Sequence, residues 1–251
     1  MVLSPIPLKI ITFNMRKGKG DHVARVGMES LEAALAREAP DLVLLQEVFH
    51  SHAEAGWGQG EQLADHLSME LAYTPNNTIK KGHYGNATLS RHPITVFANH
   101  NISTNPVEKR GALYTRVAVG GRPVHLVNTH LGLNGRQRRV QVGHLEQVIA
   151  SHVPHQDPLV VAGDFNDWTG SLRKRIRRRW PLHDALSGLS LKDRRTWHTR
   201  FPLFTLDHLY YTGLGVEEVR VGNSGQWGGL SDHFPIIAAF TLPGMSDESM
   251  D

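Results

Sequence analysis

Five apolar runs along this chain each deliver a polar, ligand-type residue just where the run stops. A short apolar run predicts a buried strand, and a carboxylate at its end is costly to bury without a partner. One such ending would carry little weight, but five predict strand ends that converge on a site for a hard cation and an anion. The endings are Glu47 in LVLLQE, His130 in VHLVNTH, Asp164 and Asn166 in LVVAGDFN, Asp207 in TLDHLYY, and Asp232 with His233 in LSDHFPII.

Composition allows a sizeable soluble core and excludes thiol chemistry. The 251 residues carry 27 Lys and Arg against 24 Asp and Glu, and the net charge of +3 by itself selects no partner. The absence of cysteine excludes disulfides, thiolate metal ligands and a cysteine nucleophile. The 16 histidines offer many donors, acceptors and metal ligands near pH 7.

The sequence carries no signal for secretion or membrane insertion. Its first residues, MVLSPIPLKIITFN, lack the charged segment and sustained apolar core of a signal peptide. No apolar run approaches the roughly 18 residues that cross a bilayer. We therefore expect a cytoplasmic protein with no transmembrane segment, and a monomer.

Strand and helix periodicities alternate from residue 8 to about residue 242. Helical spacing predicts one helix through Leu31 and Leu35 that stops before Pro40, a second through Leu63 and Leu67, and a third with Val140, Leu145, Val148 and Ile149 inward. Short turns between strands favour antiparallel pairing in two packed sheets with helices outside, hence an α/β fold. We expect one domain over 1–242 and a disordered acidic tail over 243–251. Strands are predicted at 8–14, 42–47, 86–91, 111–119, 123–129, 159–162, 206–211, 216–221 and 234–241.

Glu47 and Asn14 end the first two predicted strands and are candidates for a metal site. Mg²⁺ prefers oxygen donors and takes only one or two protein carboxylates. Glu47 fits a ligand, and Asn14 fits a residue that orients this carboxylate or contacts a phosphate. Taken alone, Glu47 is more typical of a solvated strand end, and an ordinary turn is the alternative for Asn14.

GDFND is the most specific local motif. Gly163 permits a tight turn, and Asp164 and Asn166 point the same way if the chain stays extended. Asp164 can accept a proton from water, while Asn166 can donate to an anionic oxygen without adding negative charge. The competing interpretation is an Asx turn that closes the strand.

Two further motifs offer a carboxylate–histidine couple. Asp207 can hold the imidazole of His233 in one tautomer and favour its charged form, which would stabilise charge building up on a phosphate. Asp232 can complete the metal environment or hold the attacking water. A satisfied structural hydrogen bond is the alternative for each of these residues taken singly.

Three more side chains are candidates for binding the phosphate. His130 follows an apolar strand and can donate to a phosphoryl oxygen. Asn86 in GNATLSR and Arg110 in EKRGAL are further anion-binding candidates, with Arg favoured for its bidentate geometry. Arg110 alone is also typical of a solvated surface charge.

Seven motifs, in this order, resemble the endonuclease/exonuclease/phosphatase superfamily. This group includes pancreatic deoxyribonuclease, exonuclease III-type abasic-site endonucleases, neutral sphingomyelinases and inositol polyphosphate 5-phosphatases. The compact length, with EKRGAL and NTHLGL, is similar to its small bacterial YbhP-like branch. The motifs cover nearly the whole chain: NMR at 14–16, QEV at 46–48, GNATLSR at 85–91, NTHL at 128–131, GDFN at 163–166, LDHL at 206–209 and SDHF at 231–234.

The resemblance implies a deoxyribonuclease I-like four-layer α/β sandwich, in which two mixed, largely antiparallel sheets are flanked by helices. It also implies cleavage of a phosphate ester that depends on Mg²⁺ or Mn²⁺, by in-line attack of water. The implied roles are a metal site at Glu47, Asn14 and Asp232, catalysis by Asp164, His233, Asp207 and His130, and phosphate binding by Asn166, with Asn86 and Arg110 in more variable segments.

The substrate is indicated only by the segment SLRKRIRRRW at 171–180. Leu172, Ile176 and Trp180 share one helix face, which leaves several basic side chains, Arg173 among them, outward to follow a nucleic-acid backbone or an anionic lipid surface. A solvated basic face is the alternative. We favour a nucleic-acid phosphodiester over a phospholipid-type or small phosphorylated substrate, and over a non-catalytic binding protein. Trp168, Trp197 and Trp227 either line a substrate pocket or anchor loops.

Overall fold

Twelve strands form two six-stranded sheets within residues 4–19, 27–52 and 58–244, the part of the chain that the computed structural model describes. The strands are β1 Ile6–Asn14, β2 Leu42–Ser51, β3 Glu70–Ile79, β4 Gly82–Ser90, β5 Ile94–Asn101, β6 Gly111–Val119, β7 Arg122–His130, β8 Leu159–Asp164, β9 His183–Asp184, β10 Asp207–Thr212, β11 Gly215–Val221 and β12 Ile236–Leu242. The α-helices are α1 Met28–Glu38, α2 Gln59–Leu67, α3 Gly135–His152, α4 Ser171–Arg179 and α5 Ser224–Trp227.

Both sheets are mixed and largely antiparallel, as the turn lengths predict. The first has the order β11-β12-β1-β2-β4-β3 and the second the order β5-β6-β7-β8-β10-β9. The pairs β1–β2 and β7–β8 are parallel, because helices α1 and α3 connect them as crossovers. The carboxyl ends of these parallel strands therefore lie at one edge of each sheet.

The alternating side chains of each strand build three apolar layers. Leu8 and Ile10 of β1 pack between the two sheets, where they meet Leu126 and Val160 of the second sheet. Ile11 and Phe13, one residue out of phase, pack on the other side against α1 and α2. A third cluster packs the second sheet against α3 and α4. The order helix, sheet, sheet, helix confirms the four-layer sandwich.

Most elements lie where the periodicity predicts them. Helix α1 ends at Glu38 and is followed by Ala39 in the left-handed conformation, just before Pro40. The inward placement of Val140 is wrong, since that side chain is 48% exposed while Gln141 and Val142 are buried. The register of α3 is set by Leu145 and Val148, which both face the sheet.

The two long strands that the pattern fails to predict are both at sheet edges. Strands β3 and β5 close one edge of each sheet, and neither carries a regular apolar alternation. Pro75 lies inside β3 at an irregularity in its pairing with β4, which an edge strand tolerates.

The predicted disordered tail is largely untested, because 245–251 lie outside the described residues. Across 4–19, 27–52 and 58–244, no helix is both long enough and apolar enough to cross a membrane.

Candidate active site

The topology brings all five polar strand endings to one edge of the sandwich. Asn14 ends β1, while His130 and Asp164 end the parallel strands β7 and β8. Glu47 lies inside β2, which continues beyond its predicted end at residue 47 to Ser51. Strand β10 runs antiparallel to β8, so its first residue, Asp207, pairs with Asp164. The segment 231–233 precedes β12, which is antiparallel to β1, and so reaches the same edge.

Asp164 lies at the centre of this cluster and is buried. Its Oδ2 accepts a 3.0 Å hydrogen bond from the side-chain amide of Asn14 and lies 3.3 Å from Nε2 of His130. The backbone N–H of Asn166 donates to Oδ1 at 2.8 Å. Burial, with the charge of Asp207, raises the pKa of Asp164 to about 6, although His233 and the two hydrogen bonds lower it. The carboxylate is therefore poised to exchange a proton near neutral pH.

His233 and Asp207 form the predicted couple. Nδ1 of His233 lies 2.8 Å from Oδ2 of Asp207, and its Nε2 points towards Asp164 at 3.7 Å. Burial lowers the pKa of His233, but the carboxylates of Asp207 and Asp164 outweigh it and raise the pKa to about 10. The raised pKa favours the imidazolium form of His233, whose Nδ1–H donates to Asp207 and whose Nε2 lies at ion-pair distance from Asp164.

His130 has the opposite electrostatics. Burial, followed by the charges of Arg110, His233 and Lys17, lowers its pKa well below the ordinary value. The site thus places a neutral imidazole and a charged imidazole on either side of one carboxylate. His130 and His233 can both donate hydrogen bonds to an anion, and only the charged His233 requires a carboxylate partner to balance its charge.

The GDFN turn has the geometry of an Asx turn and still delivers both side chains to the cleft. A Cβ on Gly163 would lie 1.9 Å from the carbonyl oxygen of Thr129, so only glycine fits beside β7. Asn166 has a φ of 49°, hence the chain is not extended there as the spacing suggests. Its side-chain amide donates to the carbonyl of Leu131 at 2.8 Å, which fixes its orientation at the cleft wall.

Glu47 and Asp232 lie at the rim of the cleft, each against a basic side chain. Glu47 adopts a φ of 55° at an irregularity in the pairing of β2, and its carboxylate contacts the ammonium of Lys17. Nε of Arg16 lies 3.5 Å from Oδ2 of Asp232. Both carboxylates line the cleft, and each one lies beside a positively charged side chain. Carboxylate oxygens are the ligands that Mg²⁺ and Mn²⁺ prefer, so these residues fit either ion.

A second group of ligand-type side chains lies deeper. Among the described residues, Asp164, Asp207 and His233 bring potential ligand atoms within 4.8 Å of one another. Nδ1 of His233 is already engaged with Asp207, however, and the raised pKa of this ring favours its protonated form, which has no lone pair for a metal. Glu47 and Asp232 are therefore the better candidate ligands.

The structure brings Arg110 into the cleft but not Asn86. Arg110 lines the cleft, and its Nη2 lies 2.6 Å from Oε1 of Glu108. Asn86 is buried between the sheets and donates to the carbonyls of Gly111 and Asn128 at 3.1 and 3.2 Å. It links the two sheets beneath the site and does not line the cleft.

Two tryptophans form an aromatic wall of the cleft, which has a volume of about 420 Å³. Trp168 and Trp197 meet edge to face with ring centroids 4.9 Å apart. Trp227, by contrast, is fully buried against Phe13 and is a structural anchor.

Sequence reasoning missed Lys17 and Thr196. Lys17 follows NMR and contacts Glu47, and its position directly after a site motif was the available signal. The hydroxyl of Thr196 accepts from the backbone N–H of Asp207 at 3.3 Å, which holds that residue in place. Thr196 lies in an irregular segment, where no periodicity marks it.

A cleft at the edge of two packed mixed sheets, with an Asp–His couple at its base, is typical of the phosphoesterase class of four-layer sandwiches. Residues 11–233 match the model of the Endonuclease/Exonuclease/phosphatase family, and the chain belongs to this family. Its enzymes are hydrolases that act on phosphate esters and generally depend on divalent metals. Protein YbhP of Escherichia coli K12 is 32% identical over 244 residues, which cover 93% of this chain and 96% of YbhP.

Solved structures show the same fold. An endonuclease/exonuclease/phosphatase from Beutenbergia cavernae superposes with a TM-score of 0.77 at 21% identity, covering 94% of this chain and 72% of that one. The human Nocturnin catalytic domain with bound sulfate anion gives a TM-score of 0.71 at 21% identity, covering 96% and 95%.

Proposed function

We propose that this protein is a metal-dependent phosphodiesterase that hydrolyses nucleic acid by in-line attack of water on phosphorus. The observation that carries the proposal is the buried carboxylate of Asp164, held between neutral His130 and cationic His233. This arrangement provides a base and two hydrogen-bond donors around one point in the cleft.

The residues divide the work between proton transfer and charge stabilisation. Asp164 accepts the proton of the attacking water. His233, kept charged by Asp207, stabilises the negative charge that develops on the phosphoryl oxygens. His130, Asn166 and Arg110 hold the phosphate in position.

Glu47 and Asp232, supported by Asn14, would hold Mg²⁺ or Mn²⁺. A divalent cation bound there supplies positive charge for the phosphoryl and leaving oxygens.

Nucleic acid is favoured because the cleft combines aromatic and basic surfaces. Trp168 and Trp197 present rings beside the phosphate site, where bases can stack. Arg110 and Lys17 add positive charge at the same rim. A phospholipid-type or small phosphorylated substrate is the alternative, and the exposed Leu133 at the cleft is an apolar contact that it would use.

A substrate panel tests the proposal directly. Labelled single-stranded, duplex and abasic DNA, RNA, mixed phospholipid vesicles and bis(p-nitrophenyl) phosphate are incubated with Mg²⁺, Mn²⁺ or EDTA. We expect hydrolysis of nucleic acid and of bis(p-nitrophenyl) phosphate that EDTA abolishes. Turnover of vesicles alone would select the alternative substrate, and turnover in EDTA would overturn the mechanism.

Asp164→Asn provides the matching variant. Loss of the base should lower kcat by about 10²- to 10⁴-fold, and the far-UV circular dichroism of the variant should match the wild type because the amide has the size of the carboxylate it replaces. Asp65→Asn, which neutralises an exposed carboxylate on α2, is the control and should retain activity. Full activity in Asp164→Asn would refute the assigned role.

A further inference from the structure

Helix α4 presents a strongly basic outer face that the active site does not use. Leu172 and Ile176 are buried beneath it. The spacing predicts that Arg173 points outward, and this prediction is wrong. Its side chain turns towards the buried Asp184, with Nε 2.5 Å from Oδ2 of that carboxylate. Arg179 pairs with Glu146 at 3.1 Å. The remaining basic side chains are exposed, and none of them pairs with a carboxylate of the described residues: Lys174, Arg175, Arg177 and Arg178.

The positive charge continues from α4 onto the loop 190–195. Burial, followed by the guanidinium groups of Arg173 and Arg177, lowers the pKa of Arg194, with Asp184 opposing. Arg194 stands between Asp193 and Arg195, which both line the adjoining cavity, so it adds positive charge to this loop. The acidic side chain of this loop, Asp193, accepts a 2.6 Å hydrogen bond from Ser190 within its own turn. This hydrogen bond stabilises the turn, and the loop 190–195 keeps a positive net charge because Lys192, Arg194 and Arg195 outnumber Asp193.

The other side of the loop lines a cavity of about 800 Å³. Lys192 and Arg195 lie on one wall, and Nη1 of Arg195 donates to the carbonyl of Pro202 at 3.3 Å. Phe201 and Leu203 also line the cavity while remaining 77% and 62% exposed. Phe201 and Leu203 therefore place exposed apolar surface beside basic side chains, and an apolar patch rimmed by polar groups marks a candidate interaction surface.

One short segment separates this cavity from the active-site cleft. Trp197 faces the cleft, whereas Phe201, four residues further along, faces the cavity. Thr199 joins the two, since its N–H donates to the carbonyl of Asp232 at 3.1 Å and its hydroxyl to that of Ser231 at 3.0 Å. A chain leaving the cleft at Trp197 therefore meets the cavity next.

We propose that a basic surface formed by Arg177, Arg194, Lys192, Arg195 and the cavity wall at Phe201 binds single-stranded polynucleotide that continues from the phosphate in the cleft. The inference rests on the proposed function and adds the path of the strand. A positively charged groove with an aromatic side chain is the usual platform for single strands, because the groove follows phosphates while rings stack on bases. A lipid bilayer is the poorer fit, since Lys192 and Arg195 line a concavity that a flat surface does not enter.

Charge removal tests the path. The variant Arg177→Gln/Lys192→Gln/Arg194→Gln removes three charges from the basic surface. The matched control, Arg37→Gln/Arg91→Gln/Arg122→Gln, removes three at the opposite ends of the strands, before β2, after β4 and at the start of β7. Binding of a labelled single-stranded oligonucleotide is measured over a range of salt, with non-hydrolysing Asp164→Asn as the common background.

The surface variant should bind at least tenfold more weakly, and the slope of log K against log salt should fall by about 2. The control should keep the slope of the parent. If both variants lose affinity for the oligonucleotide equally, the effect comes from the net charge of the protein and the proposal fails. Unchanged binding in the surface variant would also overturn it.

Phe201→Ala tests stacking separately. It should weaken single-strand binding about tenfold with little change in the salt slope, because no charge is lost. Equal weakening for duplex would assign the surface to double-stranded nucleic acid and overturn the single-strand inference. If instead the surface variant loses binding to phosphatidylglycerol vesicles while oligonucleotide binding is unchanged, the surface is a membrane site and the proposal fails.

Failure of the strand path is distinguishable from failure of the proposed function. Hydrolysis of bis(p-nitrophenyl) phosphate reports on the cleft without a flanking strand. In the enzyme with Asp164 intact, the surface variant should lower kcat/KM for a long oligonucleotide at least tenfold relative to kcat/KM for this small substrate. Equal ratios in variant and wild type refute the path, whereas absent metal-dependent turnover in the wild type refutes the function.

Discussion

The side-chain amide of Asn14 donates a 3.0 Å hydrogen bond to Oδ2 of Asp164, and so joins the last residue of β1 in one sheet to the last residue of β8 in the other. Both residues are buried, so this bond forms in a medium of low polarity, where hydrogen bonds to charged groups are strong. It favours the ionised carboxylate and fixes the spacing of the two sheets at the point of chemistry.

Removing this bond should shift the acidic limb of the pH–rate profile. Asp164 must be ionised to act as a base, so activity rises as the pH increases through its pKa of about 6. Asn14→Ala removes a donor to the charged form and should raise that pKa by about one unit, since a charge-assisted bond contributes about 1.5–3 kcal/mol. The measurement is kcat/KM for bis(p-nitrophenyl) phosphate between pH 5 and 8. An acidic limb at the wild-type position would contradict the role of Asn14.

Asp207→Asn should shift the alkaline limb of the pH–rate profile to lower pH. The charged form of His233 depends on Asp207 and Asp164, and its pKa of about 10 keeps the wild type active well above neutral pH. Without the Asp207 charge the imidazole loses its proton at lower pH, and kcat should fall at pH 9 more than at pH 6. The stability that the charged ring contributes is complete below pH 6.5 and is lost as the pH rises through about 10. A variant whose losses at pH 6 and pH 9 are equal would show that Asp207 acts only by positioning.

Much of the site can be predicted from sequence because its residues follow apolar runs, most of which end a strand at that point. Glu47, His130 and Asp164 each follow an apolar run, and parallel neighbours carry such ends to one edge of the sheet. Their assigned roles remain predictions, whereas their convergence is a property of the fold.

The remainder depends on contacts between sheets and loops, which no local pattern encodes. Asn86 has the residue type of a phosphate ligand, but its amide bonds to Gly111 and Asn128, far along the chain. Trp197 reaches the cleft through an irregular segment. Strands β3 and β5 lack alternation because an edge strand buries only part of one face.

His208 should limit stability in mild acid. Burial, followed by the charges of Arg173 and Arg194, lowers its pKa from 6.5 to about 3, and neither ring nitrogen has a hydrogen-bond partner among the described residues. The unfolded chain takes up a proton near pH 6.5 and the folded protein does not, so stability is lost as the pH falls from 6.5 towards 3.

His208→Phe should remove this term, because the ring packs against Phe165 and Tyr210 and its Nε2, 3.8 Å from Oδ2 of Asp167, makes no hydrogen bond. The decrease in the free energy of unfolding between pH 7 and pH 5 should shrink by about 2 kcal/mol, at about 1.4 kcal/mol per pH unit below 6.5. Urea unfolding at the two pH values provides the measurement. His155→Phe, at a position away from this cluster, is the control, and an identical pH dependence in His208→Phe and wild type would contradict the assignment.

Glu47 and Lys17 should affect metal activation in opposite directions. The ammonium of Lys17 contacts the carboxylate that we assign to the metal, so the two cations compete for it. Glu47→Gln should raise the Mg²⁺ concentration for half-maximal activity at least tenfold, because a ligand charge is lost. Lys17→Met should lower it by about twofold to fivefold, the range expected for a partly exposed ion pair. Isothermal titration with Mg²⁺ separates metal binding from catalysis. If both variants weaken metal binding, Lys17 supports the metal site instead of competing with it; if neither changes it, the metal binds elsewhere.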